Sequence, residues 1–293
     1  FVLGACFALI GAFLSSTPPF QNAMAMDANR CGIPVVYGFC RGVGSVSYAA
    51  AVLLLGFVLE RHAPTLLLPV FAALTACGLL AMSGFRLPER PDEAADRPAE
   101  HRSIAAVLRS HPRFALTLLG CMFFFLTHTI SNTYMNALVG KAGGTASAVG
   151  TSLAISAVLE LPAMTLVSRL QKRFSPGFFL RFAAGAEVVK FLIFYLARSM
   201  PLIYLGQCMQ FFQFAVYAPA TVYYVAAALP ERDQLKGQSL IYVAGSGLGG
   251  ALGNLLGGRL LDRSGIQAAL LLGTVSAAAS LLTFCLSTRE DSR

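Results

Sequence analysis

Residues 86–112, RLPERPDEAADRPAEHRSIAAVLRSHP, are the only long polar stretch in the chain. They are rich in proline and in charges of both signs, which reads as a linker containing one short amphipathic stretch at 103–109. Nearly everything on either side is apolar. Of the 293 residues 56% are hydrophobic and 12% are charged, at a mean hydropathy of +0.66. Soluble domains carry about 25% charged residues, so this chain cannot cover a globule of its size with polar surface. Disorder is excluded by the same composition, since disordered chains are poor in aromatics and this one has 22 Phe. A transmembrane helix needs about 20 mostly apolar residues. Nine stretches qualify: 1–24, 41–60, 63–85, 113–139, 146–168, 177–198, 200–229, 237–260 and 265–287. No segment alternates in the manner of a barrel strand. The expected fold is an all-α membrane protein, with three helices in 1–85, the linker 86–112, six helices in 113–288 and a tail at 289–293.

The net charge of +8 is set by the loops. Taken alternately, one set of loops holds sixteen of the 22 Lys and Arg, six of them in or beside the linker. The other set holds five, Arg61, Lys141, Arg198, Arg259 and Arg263, and Lys190 lies inside a span. The positive-inside rule then puts the linker and the C-terminus in the cytoplasm, in keeping with the cytoplasmic membrane. It also removes nucleic acid as a partner, because the basic residues are spent on topology. The start, Phe1-Val2-Leu3, has neither the basic flank nor the cleavage site of a signal peptide. It reads as a helix already under way, so three further spans are expected ahead of it. The seven cysteines form no CxxC or metal spacing and read as small buried hydrophobes.

Ionisable groups inside a span cost about 2.5–3.5 kcal/mol on insertion scales and usually face a cavity. Glu160, mid-span in AISAVLELPAMTL, suits proton binding and release. A buried structural carboxyl pairing with a neighbouring helix is the other reading. Glu187 and Lys190 share a helix face at i, i+3, as an internal ion pair or as part of a coupling site. His128, Asn132 and Asn136 share another face, where His128 is either a pH switch or a hydrogen-bonded structural histidine. Gln207, Gln210 and Gln213 recur every third residue, to hydrogen-bond a solute or to stitch helices together. Asn254 is a weaker candidate, and Tyr217, Tyr223 and Tyr224 read as interfacial anchors or an aromatic wall.

Gly245-x-Gly247-x-x-Gly250 matches a dinucleotide fingerprint as a pattern, but it follows no strand and no acidic residue comes about 20 positions later. The stripe Gly245, Gly249, Gly253 and Gly257 instead offers a face for close helix packing.

Leu55–Arg61 (LGFVLER) echoes Gly257–Arg263 (GGRLLDR) at an offset of 202 residues and six spans. Parallel six-helix repeats are a transporter architecture. Five further stretches carry a resemblance: Tyr37-Gly38-x-x-Arg41-x-x-Gly44-Ser45, Glu160-Leu161-Pro162, Tyr223-Tyr224, Lys236-Gly237-Gln238 and Gly257-Gly258-x-Leu260-x-Asp262-x-x-Gly265. They resemble the major facilitator superfamily, in its branch of sugar and nucleoside proton symporters related to lactose permease. The resemblance implies a two-bundle fold of which nine of twelve transmembrane helices are present. It implies that Arg41 grips hydroxyls of the cargo, with Tyr48 at the stacking position, and that Lys190 stands where the family has a cavity arginine. It also places Gln207, Gln210 and Gln213 where that branch has titratable coupling residues, and Asn22 where many relatives carry an acid. Two alternatives stay open: proton coupling has moved to Glu160 and Glu187, or the protein is not proton-coupled.

The expected function is secondary transport of a small polar solute (sugar, nucleoside or aromatic acid) by alternating access. A facilitative or efflux-type carrier and a non-transporting sensor are the alternatives. HExxH, GxSxG and CxxC are absent, so an enzyme is not expected. No cofactor is expected, and the partners are the solute, protons and the bilayer, with the protein a monomer.

Overall fold

The computed structural model describes residues 10–11, 28, 32–33, 37–84, 103–171 and 173–288. Apart from residues 10–11, the expected span 1–24 lies outside the described residues, as do Asn22, residues 86–102 of the linker and the tail 289–293. The described residues form helices and no strand: α1 (Tyr37–Leu59), α2 (Leu67–Ser83), α3 (Ile104–Ser110), α4 (Pro112–Thr133), α5 (Met135–Lys141), α6 (Ala146–Leu170), α7 (Pro176–Leu196), α8 (Met200–Cys208), α9 (Phe214–Ala228), α10 (Glu231–Tyr242), α11 (Gly250–Ser264) and α12 (Ile266–Ser287).

Among the described residues, six helical stretches are long and apolar enough to cross a membrane: Gly42–Leu59, Pro112–Thr133, Ala146–Val167, Met200–Ala228, Arg232–Ser264 and Ile266–Ser287. Two other expected spans differ for stated reasons. Helix α2 is only 17 residues long, and α7 has the length but carries Arg181, Glu187 and Lys190. Three expected spans are also not continuous α-helix. The span expected at 113–139 is interrupted at Tyr134, between α4 and α5. The span at 200–229 passes through a 3-10 turn at Met209–Phe211, and a π-helical segment, Val243–Gly249, joins α10 to α11. Broken backbone at membrane depth is tolerated where it is buried in protein or lines a cavity, and the polar residues described below cluster at one of these breaks.

The chain divides into two compact units, Phe1–Arg41 with Ala63–Pro98 and Gly42–His62 with Ala99–Arg293. In the first, α2 buries none of its residues.

In the second unit, helices start where the sequence supplies starters. Ser103 accepts from Ala106 N at 3.2 Å ahead of α3, and Ser175 accepts from Phe178 N at 3.2 Å ahead of α7. Proline opens α4 and α7, where its missing N–H has no partner to lose. One buried cluster includes Phe114, Phe124, Phe179, Tyr217, Tyr224 and Phe284. Phe124 and Tyr217 stack at 3.9 Å with planes 9° apart, and the Tyr224 hydroxyl accepts from Thr117 at 3.0 Å. Tyr217 and Tyr224 are thus core residues and not the expected interfacial anchors, because the helices around α9 leave flat slots for their rings.

Small residues let helices in this unit approach closely. Ser280 Oγ donates to Gly120 O and Ser276 Oγ to Phe123 O, both at 3.0 Å, which ties α12 to α4. Gly245, Gly249, Gly253 and Gly257 face α4 as well. A methyl group added at Gly253 would come 2.6 Å from Leu126 O, and one at Gly249 would strike Met122 O. Of the four cysteines whose side chains are described, Cys121 is buried and Cys285 partly so, while Cys77 and Cys208 are exposed. The expectation of buried thiols fails for those two, since an apolar span presents residues to lipid as readily as to the core.

Candidate functional site

Four side chains from three helices and one 3-10 turn form a continuous polar chain inside the second unit. Ser45 Oγ, on α1, donates to Glu160 Oε2 on α6 at 2.7 Å. Gln210 Nε2, in the 3-10 turn at Met209–Phe211, donates to Glu160 Oε1 at 3.1 Å. Lys190 Nζ, on α7, donates to Gln210 Oε1 at 2.8 Å and sits 5.7 Å from the centroid of the Phe194 ring. The Gln210 amide is therefore locked in one orientation, with its carbonyl toward the ammonium and its NH2 toward the carboxylate.

Lys190 is 1% exposed and Gln210 3% exposed. Two opposite charges separated by one amide, roughly 7 Å, attract by roughly 2 kcal/mol at an effective dielectric near 20. That is comparable to the insertion cost of a single charge, so the chain recovers much of what each charge loses. The chain passes through the break in the span at 200–229, where the Gln210 side chain reaches both α6 and α7.

The expected i, i+3 ion pair of Glu187 with Lys190 does not form. Lys190 turns to Gln210, and both carboxylate oxygens of Glu187 are buried without a hydrogen-bond partner. Gln213 lies near Glu187, yet its own amide atoms have no hydrogen-bond partner either. Gln213 occupies the residue ahead of α9, with φ −100° and ψ −94°. Gln207 is also buried, with its Nε2 3.6 Å from Met135 Sδ. The three glutamines thus have three different environments, one bonded to two charges, one to a thioether and one to nothing.

His128 stacks on Phe214 at 4.3 Å with planes 9° apart, and its Nδ1 is buried without a partner. Asn132 Nδ2 donates to the His128 carbonyl at 2.9 Å and lies 3.1 Å from His128 Nε2. Asn132, Asn136 and Asn254 are exposed. Asn254 is held on α11 by Thr133, which donates to its side chain at 2.9 Å, and by Tyr134, which donates to its carbonyl at 2.6 Å. Tyr48 is 50% exposed. Arg41 lies on α1, but its side chain is outside the described ones. The candidates therefore separate into a buried set (Glu187, Lys190 and the glutamines) with the half-buried Glu160 at its edge, and an exposed polar set (Tyr48, Asn132, Asn136 and Asn254).

Two contributors escaped sequence reasoning. Ser45, a small hydroxyl within an apolar helix, gives no sign of being the donor to Glu160. Glu60, at the end of α1, accepts from Thr145 Oγ1 at 2.7 Å and from Ser147 N at 3.3 Å. Its place within the repeat Leu55–Arg61, aligned with Asp262 of Gly257–Arg263, was the available signal. Hydrogen bonding from Ser147 and Thr145, with Arg61 adding, holds its carboxyl below the usual range.

Comparison with known proteins agrees with this architecture. The MFS_1 like family matches residues 2–272. The maltose permease of Geobacillus stearothermophilus is 28% identical over 286 residues, covering 97% of this chain and 71% of that protein. The uncharacterized transporter YwbF of Bacillus subtilis (strain 168) is 23% identical over 293 residues, again 71% of its length. Among solved structures, the fold is similar to the major facilitator superfamily transporter FucP in its outward conformation. That match has a TM-score of 0.53 and 17% identity, covering 78% of this chain and 59% of that one. It is also similar to a bacterial homologue of the human lysosomal transporter Spinster, inward-facing and unoccupied. Here the TM-score is 0.51 at 16% identity, covering 72% and 56%. This chain belongs to the MFS_1 like family of the major facilitator superfamily, and so to a group of membrane carriers and not of enzymes.

Proposed function

We propose that the protein is a secondary transporter of a small polar solute, of the sugar class, working by alternating access with a proton as the coupled ion. The observation that carries this reading is the chain Ser45–Glu160–Gln210–Lys190, which links three helices through one carboxylate. Protonating Glu160 would cancel the charge that holds Gln210 and Ser45 in place. One proton would thereby loosen α1, α6, α7 and the Met209–Phe211 turn together. Glu187 is the second carboxyl assigned to coupling. It is wholly buried and has no competing partner.

The exposed amides of Asn132, Asn136 and Asn254, with Tyr48, supply donors and acceptors matched to hydroxyls and carry no net charge. That favours a neutral polyol over an aromatic acid. The similarity to a maltose permease supports the same choice. Arg41, His128, Lys190, Gln207, Gln210 and Gln213 complete the proposed solute set, and the protein acts as a monomer in the cytoplasmic membrane. The three neutral glutamines favour one second reading, a facilitative carrier without a coupled ion.

The deciding measurement is uptake of labelled maltose by right-side-out vesicles under an imposed proton gradient. In Glu160→Gln, accumulation against the gradient should vanish while counterflow exchange persists. Undiminished accumulation by that variant would remove Glu160 from coupling and leave the facilitative reading. If exchange of any sugar is absent from the unaltered protein, the sugar assignment is wrong.

A further inference from the structure

We propose that Glu60 and Glu160 are a reciprocal pair of cross-helix staples that hold opposite ends of the α1–α6 contact, with a glycine crossing between them as the fulcrum. The proposal rests on the transport reading only in taking separation of these helices to be a step of alternating access. The two carboxylates sit on different helices and each reaches the other one. Glu160, on α6, takes the hydroxyl of Ser45 on α1 at 2.7 Å. Glu60, just past α1, takes the hydroxyl of Thr145 at 2.7 Å and the N–H of Ser147 at 3.3 Å, both at the start of α6.

Thr145 is the residue preceding α6, and its side chain does not cap that helix. The cap is supplied from α1. An anion at a helix N-terminus meets free N–H groups and the positive end of the helix dipole, so the Glu60 contact is favoured in its charged form.

Between the staples the helices touch backbone to backbone. A methyl group added at Gly150 would lie 2.6 Å from Val52 O, and one at Gly56 would lie 3.2 Å from Gly150 Cα. Below that point Ala49, Ala154 and Ala157 form a buried cluster of small side chains. At 1.5 Å per residue, Gly56 stands about 6 Å from Glu60 and about 16 Å from Ser45. The crossing therefore divides the pair into a short arm held by Glu60 and a long arm held by Glu160.

A rigid crossing with unequal arms does not open at both ends at once. Loss of the Ser45–Glu160 contact frees the long arm while the Glu60 cap keeps the short arm closed, and loss of the cap does the opposite. Loop charges place the Glu60 end outside the cell, so the cap works as the external staple. Gln210 donates to Glu160 and Lys190 donates to Gln210, and neither bonds Glu60, which leaves Glu60 independent of that polar chain.

The test is distance measurement between spin labels in the whole membrane protein, reconstituted in liposomes without solute or gradient, with the native cysteines replaced. One label pair, His62→Cys with Lys141→Cys, reports the Glu60 end. A second pair, Val43→Cys with Leu166→Cys, reports the Ser45 end. Glu60→Gln should lengthen the first distance by more than the roughly 1–2 Å of ordinary interface helix shifts and leave the second unchanged. Thr145→Val, which removes the donor from the other helix, should give the same shift, and Glu60→Asp should give less. Glu160→Gln should lengthen only the second distance.

The proposal is overturned if Glu60→Gln and Thr145→Val both leave the first distance as it was, or if every variant moves both distances together. Because the measurement needs no transport, it separates this idea from the coupling role of Glu160. Lost accumulation in Glu160→Gln with both distances unaltered would break the staples and spare the coupling.

Discussion

Two glutamine–glutamate pairs lie one helical turn apart in the same bundle, and they are treated in opposite ways. Gln210 and Glu160 are joined at 3.1 Å, and each has a second bond, to Lys190 and to Ser45. Gln213 and Glu187 are both fully buried, at 0% exposure, and none of their polar side-chain atoms has a hydrogen-bond partner. Composition does not distinguish the pairs, but backbone does. Gln210 sits within the 3-10 turn, where its amide can reach both α6 and α7. Gln213 sits at the exit of that turn, with the irregular ψ of −94°. A buried polar group left unsatisfied costs about 1–3 kcal/mol. The first pair is thus an assembled structural element, and the second stores unfavourable energy in the middle of the protein.

The largest effect is expected from Lys190→Ala. It leaves the buried Gln210 Oε1 without its donor, at about 1–3 kcal/mol for an unsatisfied buried group, on top of the roughly 2 kcal/mol attraction lost across the amide to Glu160. Thermal unfolding of the purified protein in detergent should show it as a large fall in Tm. Adding Glu160→Gln to Lys190→Ala should restore part of the loss, because the leftover charge disappears. If the double variant were no more stable than the single one, Glu160 and Lys190 would not be coupled through Gln210.

The next effect compares the two acids directly. Glu160→Gln gives up charge-assisted hydrogen bonds worth about 1.5–3 kcal/mol, so stability should fall. Glu187→Gln removes a buried carboxyl that has no bonds to lose, so stability should hold or rise. Equal losses in the two variants would erase the contrast between the pairs.

Much of the architecture was legible in the sequence, and for a physical reason. A run such as Ile266–Ser287 has only one way to place its backbone amides in lipid, so hydropathy alone fixes it as a helix. The linker was read from charge and proline, and its short helix emerged at Ile104–Ser110 beside the expected 103–109. Site geometry was less legible because it depends on breaks in the helices. An unbroken helix would carry Gln207, Gln210 and Gln213 down one face at similar depth. The Met209–Phe211 turn rotates them into three environments instead, and nothing in MQFFQF announces that turn. The same limit explains the ion pair that failed to form: i, i+3 spacing brings Glu187 near Lys190, but the better-placed Gln210 takes the ammonium. For Tyr217 the choice between an aromatic wall and an interfacial anchor stays open in the sequence until its stacking partner, Phe124, is known.

A smaller effect tests whether the second pair is apolar in all but name. Replacing both members, Glu187→Leu with Gln213→Leu, removes four unsatisfied atoms and keeps similar volume. Such exchanges are neutral or stabilising when no bonds are lost. The matching double variant of the first pair, Glu160→Leu with Gln210→Leu, strands Lys190 and Ser45 and should destabilise. The expected signature is a Tm that is unchanged or higher in the first double variant and lower in the second, with transport lost in both. A falling Tm in both would mean that Glu187 and Gln213 do support the fold.

The smallest effect comes from a third carboxylate, Glu60, which is bonded like Glu160 but sits in water. Its hydrogen bonds from Ser147 and Thr145 lower its folded-state affinity for a proton relative to the ordinary value of 4.5. A carboxyl whose folded value lies below its unfolded value adds stability that is complete well above the unfolded value. That contribution fades as pH falls through the unfolded and then the folded value. The difference in Tm between the native protein and Glu60→Gln should therefore be constant from neutral pH down to about pH 6, then shrink and vanish under acid conditions. Solvent screening keeps the difference small throughout. Added salt should reduce it further, because an exposed contact is screened within about 10 Å at 0.1 M ionic strength. The half-buried carboxylate of Glu160 should show a weaker salt dependence, since it is less exposed than Glu60. A salt effect of equal size at both carboxylates would show that Glu160 is as wet as Glu60, and the contrast between a bonded interior pair and its surface counterpart would be lost.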